Sequence, residues 1–374
     1  MSQIKTVFRL LTRGTPRSLL LYYGILTVWL VTTGMHIPDG YLSPVTSIIM
    51  FIIVLPFWGI GVRKLREKMN SRNVPLIALV AAFSFIIMMF NVPLPGGTTA
   101  HAVGGALAAI ILGPEIATLA ISIALVIQAF FFGDGGILAL GANCFNMAVV
   151  LPYVSYAIYQ VFSKNRPPTS KRRIVGAALG GWAGLTVAAF FGGFEFGIQP
   201  LLFHTANGMP LYAPYPLSIS IPAMVIPHAL VASVVEGLVT ALVVGYLQRA
   251  NQSALEFVKK AEISPEISGF VKWRALWTGL AVMIVLVPVG LLAPGTAWGE
   301  WGAQELTRRG LAFVPQGLAK LSGLWSAPLP GYNLPALKNA NLSYILSGIT
   351  GTIVIGIVAW LFTMLVTTRK SGPK

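Results

Sequence analysis

The feature that most constrains this chain is a train of apolar runs, nearly free of charge and longer than a soluble core needs. They fall at about 44–62, 75–92, 100–113, 115–132, 142–162, 174–195, 216–248, 275–293 and 342–366, with a shorter one at 19–31. A helix needs roughly 20 predominantly apolar residues to cross the hydrocarbon of a bilayer, and most of these runs reach or approach that length. Hydrophobic residues make up 55% of the 374-residue chain and charged ones only 10%, a balance foreign to water-soluble domains. Within lipid every backbone N–H and C=O must be satisfied by the segment itself, which leaves helices for runs of this kind. The expected fold is all-α: a polytopic transmembrane helical bundle in the cell (inner) membrane, surrounded by membrane lipid.

Basic clusters lie between the runs: Lys5, Arg9, Arg13 and Arg17; Arg63, Lys64, Arg66, Lys68 and Arg72; Lys164, Arg166, Lys171, Arg172 and Arg173; Arg249, Lys259, Lys260, Lys272 and Arg274; and Arg369, Lys370 and Lys374. Threaded from a cytoplasmic N-terminus, all five fall on one face, and of the 26 Lys and Arg only Arg308, Arg309, Lys320 and Lys338 fall outside. One missed span would reverse every later cluster, so the agreement supports the whole threading. The net charge of +15 is then mainly topogenic, and no nucleic-acid partner is expected. The same threading sets Met35, His36, the loop from Pro93 to Thr99 and the turn from Gly133 to Gly136 on the outer, extracytoplasmic side.

The polar interval 250–273 reads as a cytoplasmic linker between a membrane domain, 35–249, and a two-span segment, 274–374, with a Pro-, Gly- and Trp-rich outer loop at 294–341. The single Cys144 excludes an intrachain disulfide and a cysteine-based zinc cluster, and reads as packing. No GxxxxGK[ST], HExxH or GxSxG pattern occurs. The chain is therefore not expected to hydrolyse ATP or to act as an enzyme.

Polar side chains at membrane depth are costly and usually face a cavity or a partner helix. His36 and His101 sit at the outer ends of expected spans and can meet if the 35–43 loop folds inward. A metal site is one reason for them to meet; separate hydrogen bonds to headgroups or backbone are the plainer reading. "GTTAHAVGGALAAIILGPE" reads as a helix opening at Thr98 or Thr99, with small residues for close helix approach. In "QAFFFGDGGILALGANCFNMA" the glycines around Asp134 break the helix and Asn143 and Asn146 follow on the next one. Gln128, Asp134, Asn143 and Asn146 are thus candidate cavity-lining residues, with a capped turn as the alternative. His228 and Glu236 lie eight residues apart, about 80° around a helix. They suit a helix seam or a partner contact and do not converge on a metal.

These strings together resemble one family, the substrate-binding membrane component (CbiM/NikM type) of energy-coupling-factor transporters for cobalt or nickel. The resemblance rests on "MHIPDGYLSP", "GTTAHAVGG", "LGPE", "QAFFFGDGGILALGANCFNMA" and "EGLVTALVVGY", in order over about 35–248. It implies a metal site made by the Met35 amine, His36 and His101, with Co²⁺ or Ni²⁺ as transported ion and no cofactor. It also implies a transmembrane coupling subunit (CbiQ/NikQ type) and ATPases (CbiO/NikO type) as partners. The tail beyond 270, with "GTAWGEWGAQEL" and "APLPGYNLPAL", is similar to the small companion subunit (CbiN/NikN type) in fused form.

The chemistry can be argued beside the resemblance. A terminal amine, the next residue's deprotonated amide nitrogen and its imidazole form fused chelate rings, and a second imidazole adds a fourth nitrogen. Such a set suits a tetragonal d-block ion such as Ni²⁺, whereas Mg²⁺ and Ca²⁺ prefer oxygen. It requires Met35 to be a chain terminus. Residues 1–34 read as a signal peptide, with a basic start, an apolar core from Leu19 to Val31 and then Thr32, Thr33 and Gly34. An uncleaved anchor helix, or translation truly beginning at Met35, are the alternatives. A second reading of function is a stand-alone secondary carrier for a divalent metal or other cation, with Asp134 or Glu195 as its coupling carboxylate. An intramembrane metalloenzyme is weaker, since no open-site metal motif is present.

Overall fold

The computed structural model describes residues 35–68, 74–94, 98–250, 255, 270–293 and 297–368. The leader reading of 1–34 and most of the 250–273 linker lie outside them. The elements run in order as α1 (Pro44–Lys68), α2 (Val74–Met88), β1 (Val92–Leu94), β2 (Thr98–Ala100), α3 (Gly105–Leu112), α4 (Pro114–Phe132), α5 (Leu140–Ser163), α6 (Lys171–Gly197) and α7 (Leu217–Ala250). After the linker come α8 (Phe270–Leu286), the short helices α9 (Ala303–Arg308) and α10 (Gln316–Leu321), and α11 (Ala340–Thr368). Seven stretches of the described residues are long and apolar enough to cross a membrane, and α2 is a shorter apolar helix. The fold is an all-α membrane bundle, as its apolar runs require.

Small residues set the helix seams. A Cβ on Gly180 of α6 would lie 2.6 Å from the Ser155 carbonyl oxygen of α5, and one on Gly181 would lie 2.9 Å from the Gly237 Cα of α7. Backbones this close gain van der Waals contact that larger side chains would prevent. The outward face of α1 leaves Val45, Ile48, Ile52 and Leu55 exposed, as a lipid-facing helix does.

The run at 100–113 departs from the expected helix opening at Thr98 or Thr99. Thr98–Ala100 instead pairs antiparallel with Val92–Leu94, the backbone stays non-helical to Gly104, and α3 has only eight residues. At 1.5 Å per residue it spans about 12 Å, less than half the hydrocarbon thickness. Gly104 makes the break with φ 76, where a Cβ would also sit 2.8 Å from the Phe83 ring. The exposed helix start is capped from 130 or more residues away: the Glu236 carboxylate accepts the backbone N–H groups of Val103 and Gly104 at 2.8 Å and of Ala106 at 3.1 Å. This broken span, with irregular backbone buried in protein, is the form that intramembrane binding sites take.

The C-terminal segment packs along the bundle through α11 and covers one end of it with the connection between α8 and α11. Tyr344 of α11 donates to the Met89 carbonyl at 3.1 Å. The connection between α8 and α11 covers the 35–43 loop and the end of α4: Tyr41 donates to the Trp301 carbonyl at 2.7 Å, Leu329 N to Phe131 O at 2.9 Å and Trp325 Nε1 to Phe130 O at 2.9 Å. Arg308, Arg309, Lys320 and Lys338 lie in the connection between α8 and α11, whereas the described basic residues of α1, the α5–α6 turn and the end of α7 gather at the opposite end. There the C-terminus of α1 meets that of α11, through Arg66 and the Val366 carbonyl, and that of α7 meets the start of α6, through Gln248 and the Ser170 carbonyl.

Candidate metal centre

The 35–43 loop is held by backbone-directed side chains. Asn143 accepts the Ile37 N–H at 2.8 Å and donates to the Ile37 carbonyl at 3.0 Å, pairing with the loop as a neighbouring strand would. Asp39 accepts from the backbone N–H groups of Ile137, Leu138 and Ala139, the donors that precede α5. Gly136 leaves the room, since a Cβ there would collide with the Asp39 carboxylate.

So clamped, the loop buries Met35 and His36 at 2% and 3% exposure and turns His36 toward His101, itself 5% exposed. The two ring centroids lie 5.0 Å apart. His36 Nδ1 donates to Asp134 Oδ1 at 2.9 Å, and His101 Nδ1 donates to the Ala102 carbonyl at 3.1 Å. Among the described residues neither Nε2 has a hydrogen-bond partner. An acceptor on each Nδ1–H leaves the Nε2 lone pair outward, the arrangement in which imidazoles bind d-block metals. Both rings line a cavity of about 400 Å³, which Thr99, Asp134, Glu300 and Tyr332 also line.

Charge in the cavity follows from burial and pairing. Burial disfavours the charged form of both His36 and Asp134, but their ion pair prevails. It raises the His36 pKa and holds Asp134 down at about 2, and Tyr332 helps to hold that carboxylate low. Glu300 is pushed up to about 8 by burial and then by the Asp134 charge, and its carboxylate faces the His36 backbone. Among the described residues no three His, Cys, Asp or Glu side chains group so as to hold a metal between them.

Of the four candidate lining residues, Asp134 alone faces the cavity. Gln128, Asn143 and Asn146 are buried at 0%, 1% and 1% and support it from behind. Gln128 donates to the Tyr332 hydroxyl at 3.1 Å, Asn143 clamps the loop, and Asn146 donates to Glu195 at 2.9 Å. His228 and Glu236 lie in helix seams. They are 0% and 1% exposed; His228 donates to the Met224 carbonyl at 2.7 Å and Glu236 caps α3. Glu300 and Tyr332 were missed, because neither "GTAWGEWGAQEL" nor "APLPGYNLPAL" carries a local sign of where it folds.

Comparison with known proteins agrees with this architecture. Residues 272–368 match the PDGLE domain. The chain is 49% identical to the fused nickel transport protein NikMN of Rhodobacter capsulatus, over 90% of this chain and all of that protein. It is 34% identical to the cobalt transport protein CbiM of Chlorobium limicola, over 47% of this chain and 70% of that one. A crystal structure of a truncated transition metal transporter superposes with a TM-score of 0.53 at 50% identity, covering 57% of this chain and 97% of that one. With residues 36–254 matching the model of the cobalt uptake substrate-specific transmembrane region, the chain belongs to that family.

Proposed function

We propose that this chain is the substrate-binding component of an energy-coupling-factor importer, taking up Ni²⁺ or Co²⁺ through His36, His101, the Met35 amine and the His36 amide nitrogen. Its broader role, a membrane component of nickel or cobalt transport, follows from its family and its fused relatives. The observation that carries the site reading is the pair of buried imidazoles 5.0 Å apart, each with Nδ1 bonded and Nε2 bare. Two neutral imidazoles and two backbone nitrogens select a borderline d-block ion over Mg²⁺ or Ca²⁺. The ion enters from the extracytoplasmic side, a reading supported by the basic residues at the far end of the bundle. The sequence holds no nucleotide-hydrolysing motif, so energy comes from a CbiQ/NikQ-type coupling subunit and CbiO/NikO-type ATPases.

In this reading residues 1–34 are a leader whose removal frees the Met35 amine, 35–249 form the metal-binding domain, 250–273 the linker and 274–374 the companion segment. The test is metal stoichiometry and affinity of purified protein, with N-terminal sequencing of the same sample. His36→Ala and His101→Ala should each abolish tight Ni²⁺ and Co²⁺ binding. His204→Ala should not, since His204 is exposed and its ring bonds the carbonyl of its neighbour Thr205. Unchanged affinity in His101→Ala removes it as a ligand, and tight metal on protein that still begins at Met1 removes the Met35 amine.

A further inference from the structure

Tyr332 reaches the cavity from the C-terminal segment, 198 residues along the chain from the carboxylate it meets. Its backbone is left-handed at φ 61, a conformation that bulky L residues rarely adopt and that persists only where the surroundings over-determine it. Here they do. The ring stacks on Phe132 with centroids 4.7 Å apart and an interplanar angle of 21°, and meets Tyr344 edge-on at 5.5 Å. Ser347 Oγ donates to the Tyr332 carbonyl at 2.8 Å. All of this delivers one hydroxyl, which donates to Asp134 Oδ2 while Oδ1 accepts from His36. Among the described residues Gln128 is the other donor to Oδ2, and its donation is long, at 3.4 Å.

We propose that Tyr332 is a positioning residue for the metal site: by fixing Asp134 it aims His36, so that docking of the C-terminal segment and metal retention are linked. The inference rests on His36 and His101 being the ligands. A carboxylate with one oxygen free can swing about its own bonds and carry the imidazole with it, whereas one bonded at both oxygens cannot. Because such coupling is reciprocal, a bound ion must also tighten the docking of the segment that supplies the hydroxyl.

The test is Ni²⁺ titration of the full chain in nanodiscs, comparing wild type, Tyr332→Phe, Asp134→Asn and the double variant. Outer groups that orient a metal-bound histidine typically change affinity by about 10–100-fold when removed. Tyr332→Phe, which keeps the stacked ring, is expected to weaken Ni²⁺ binding within that range. In the Asp134→Asn background it should change nothing further, since the hydroxyl acts through that carboxylate. Ni²⁺ should also slow amide hydrogen exchange around Leu329–Asn333 in wild type and not in Tyr332→Phe. Wild-type affinity in Tyr332→Phe overturns the proposal. So does an equal loss in both backgrounds, or a loss in Tyr332→Leu that is absent from Tyr332→Phe, because either makes the ring's packing responsible. If His101→Ala retains tight binding, the site reading itself fails; if it loses binding while Tyr332→Phe does not, only the role of Tyr332 falls.

Discussion

A carboxylate behind an imidazole decides which of its nitrogens meets an ion and how firmly a proton competes for that place. Asp134 sits in this position on His36. Burial alone would lower the His36 pKa, but the Asp134 charge and hydrogen bond outweigh it and raise the value above 6.5. His36 thus keeps a proton to higher pH than an ordinary imidazole, and in the proposed site an incoming ion must displace it. Affinity in wild type is therefore expected to climb with pH through the neutral range, more steeply below the raised pKa than above it, where release of the Met35 amine and His36 amide protons still contributes. Asp134→Asn removes the charge that holds the proton, so its affinity curve between pH 6 and 8 should be flatter, while its ceiling falls by roughly 10–100-fold. Calorimetric Ni²⁺ titrations at several pH values check both, and an unchanged slope would mean that Asp134 does not set the His36 proton. At this scale the sequence was legible where residues stand in strings: "MHIPDGY" and "GTTAH" named the two imidazoles that the fold brings together. Tyr332 and Glu300 were not legible, because their roles arise from contacts across much of the chain.

Among the elements, α3 is where local propensity and the fold disagree. Thr98 and Thr99 ahead of an Ala- and Gly-rich apolar run look like the start of a helix. Pairing with Val92–Leu94 takes those residues first, and the helix begins seven residues later under a cap from α7. Neither partner is visible in a local window, so the half-helix was not legible although the apolar run was. The delay keeps His101 on non-helical backbone, where Nδ1 bonds the Ala102 carbonyl. Glu236→Ala should leave three buried N–H groups unpaired, each at a cost of about 1–3 kcal/mol. We expect a clear drop in melting temperature together with weaker Ni²⁺ binding, because the freed N–H groups begin at Val103, two residues beyond His101. Glu236→Gln keeps an acceptor and should fall between the two. A melting temperature within a degree of wild type for Glu236→Ala would show that the cap does not hold the break.

For the whole molecule, the distribution of charge and the position of the cavity make one statement about orientation. The described basic residues of α1, the α5–α6 turn and the end of α7 lie away from the loop that carries His36, and the C-terminal segment covers the end that holds the cavity. Lys and Arg near span ends stay on the cytoplasmic side, so the cavity should open outward. Exposed sites at the two ends allow a direct check. Thr169 lies in the α5–α6 turn and Asn207 in the loop between α6 and α7, both exposed, and the single native Cys144 is buried and can be replaced by Ser. In that background a membrane-impermeant maleimide added to intact cells should label Asn207→Cys and leave Thr169→Cys unmodified until the cells are opened. Placing one neutral residue at either position leaves the basic clusters intact, so the variants report the topology without disturbing its cause. Labelling of Thr169→Cys in intact cells would reverse the orientation, and with it the direction from which an ion reaches His36 and His101.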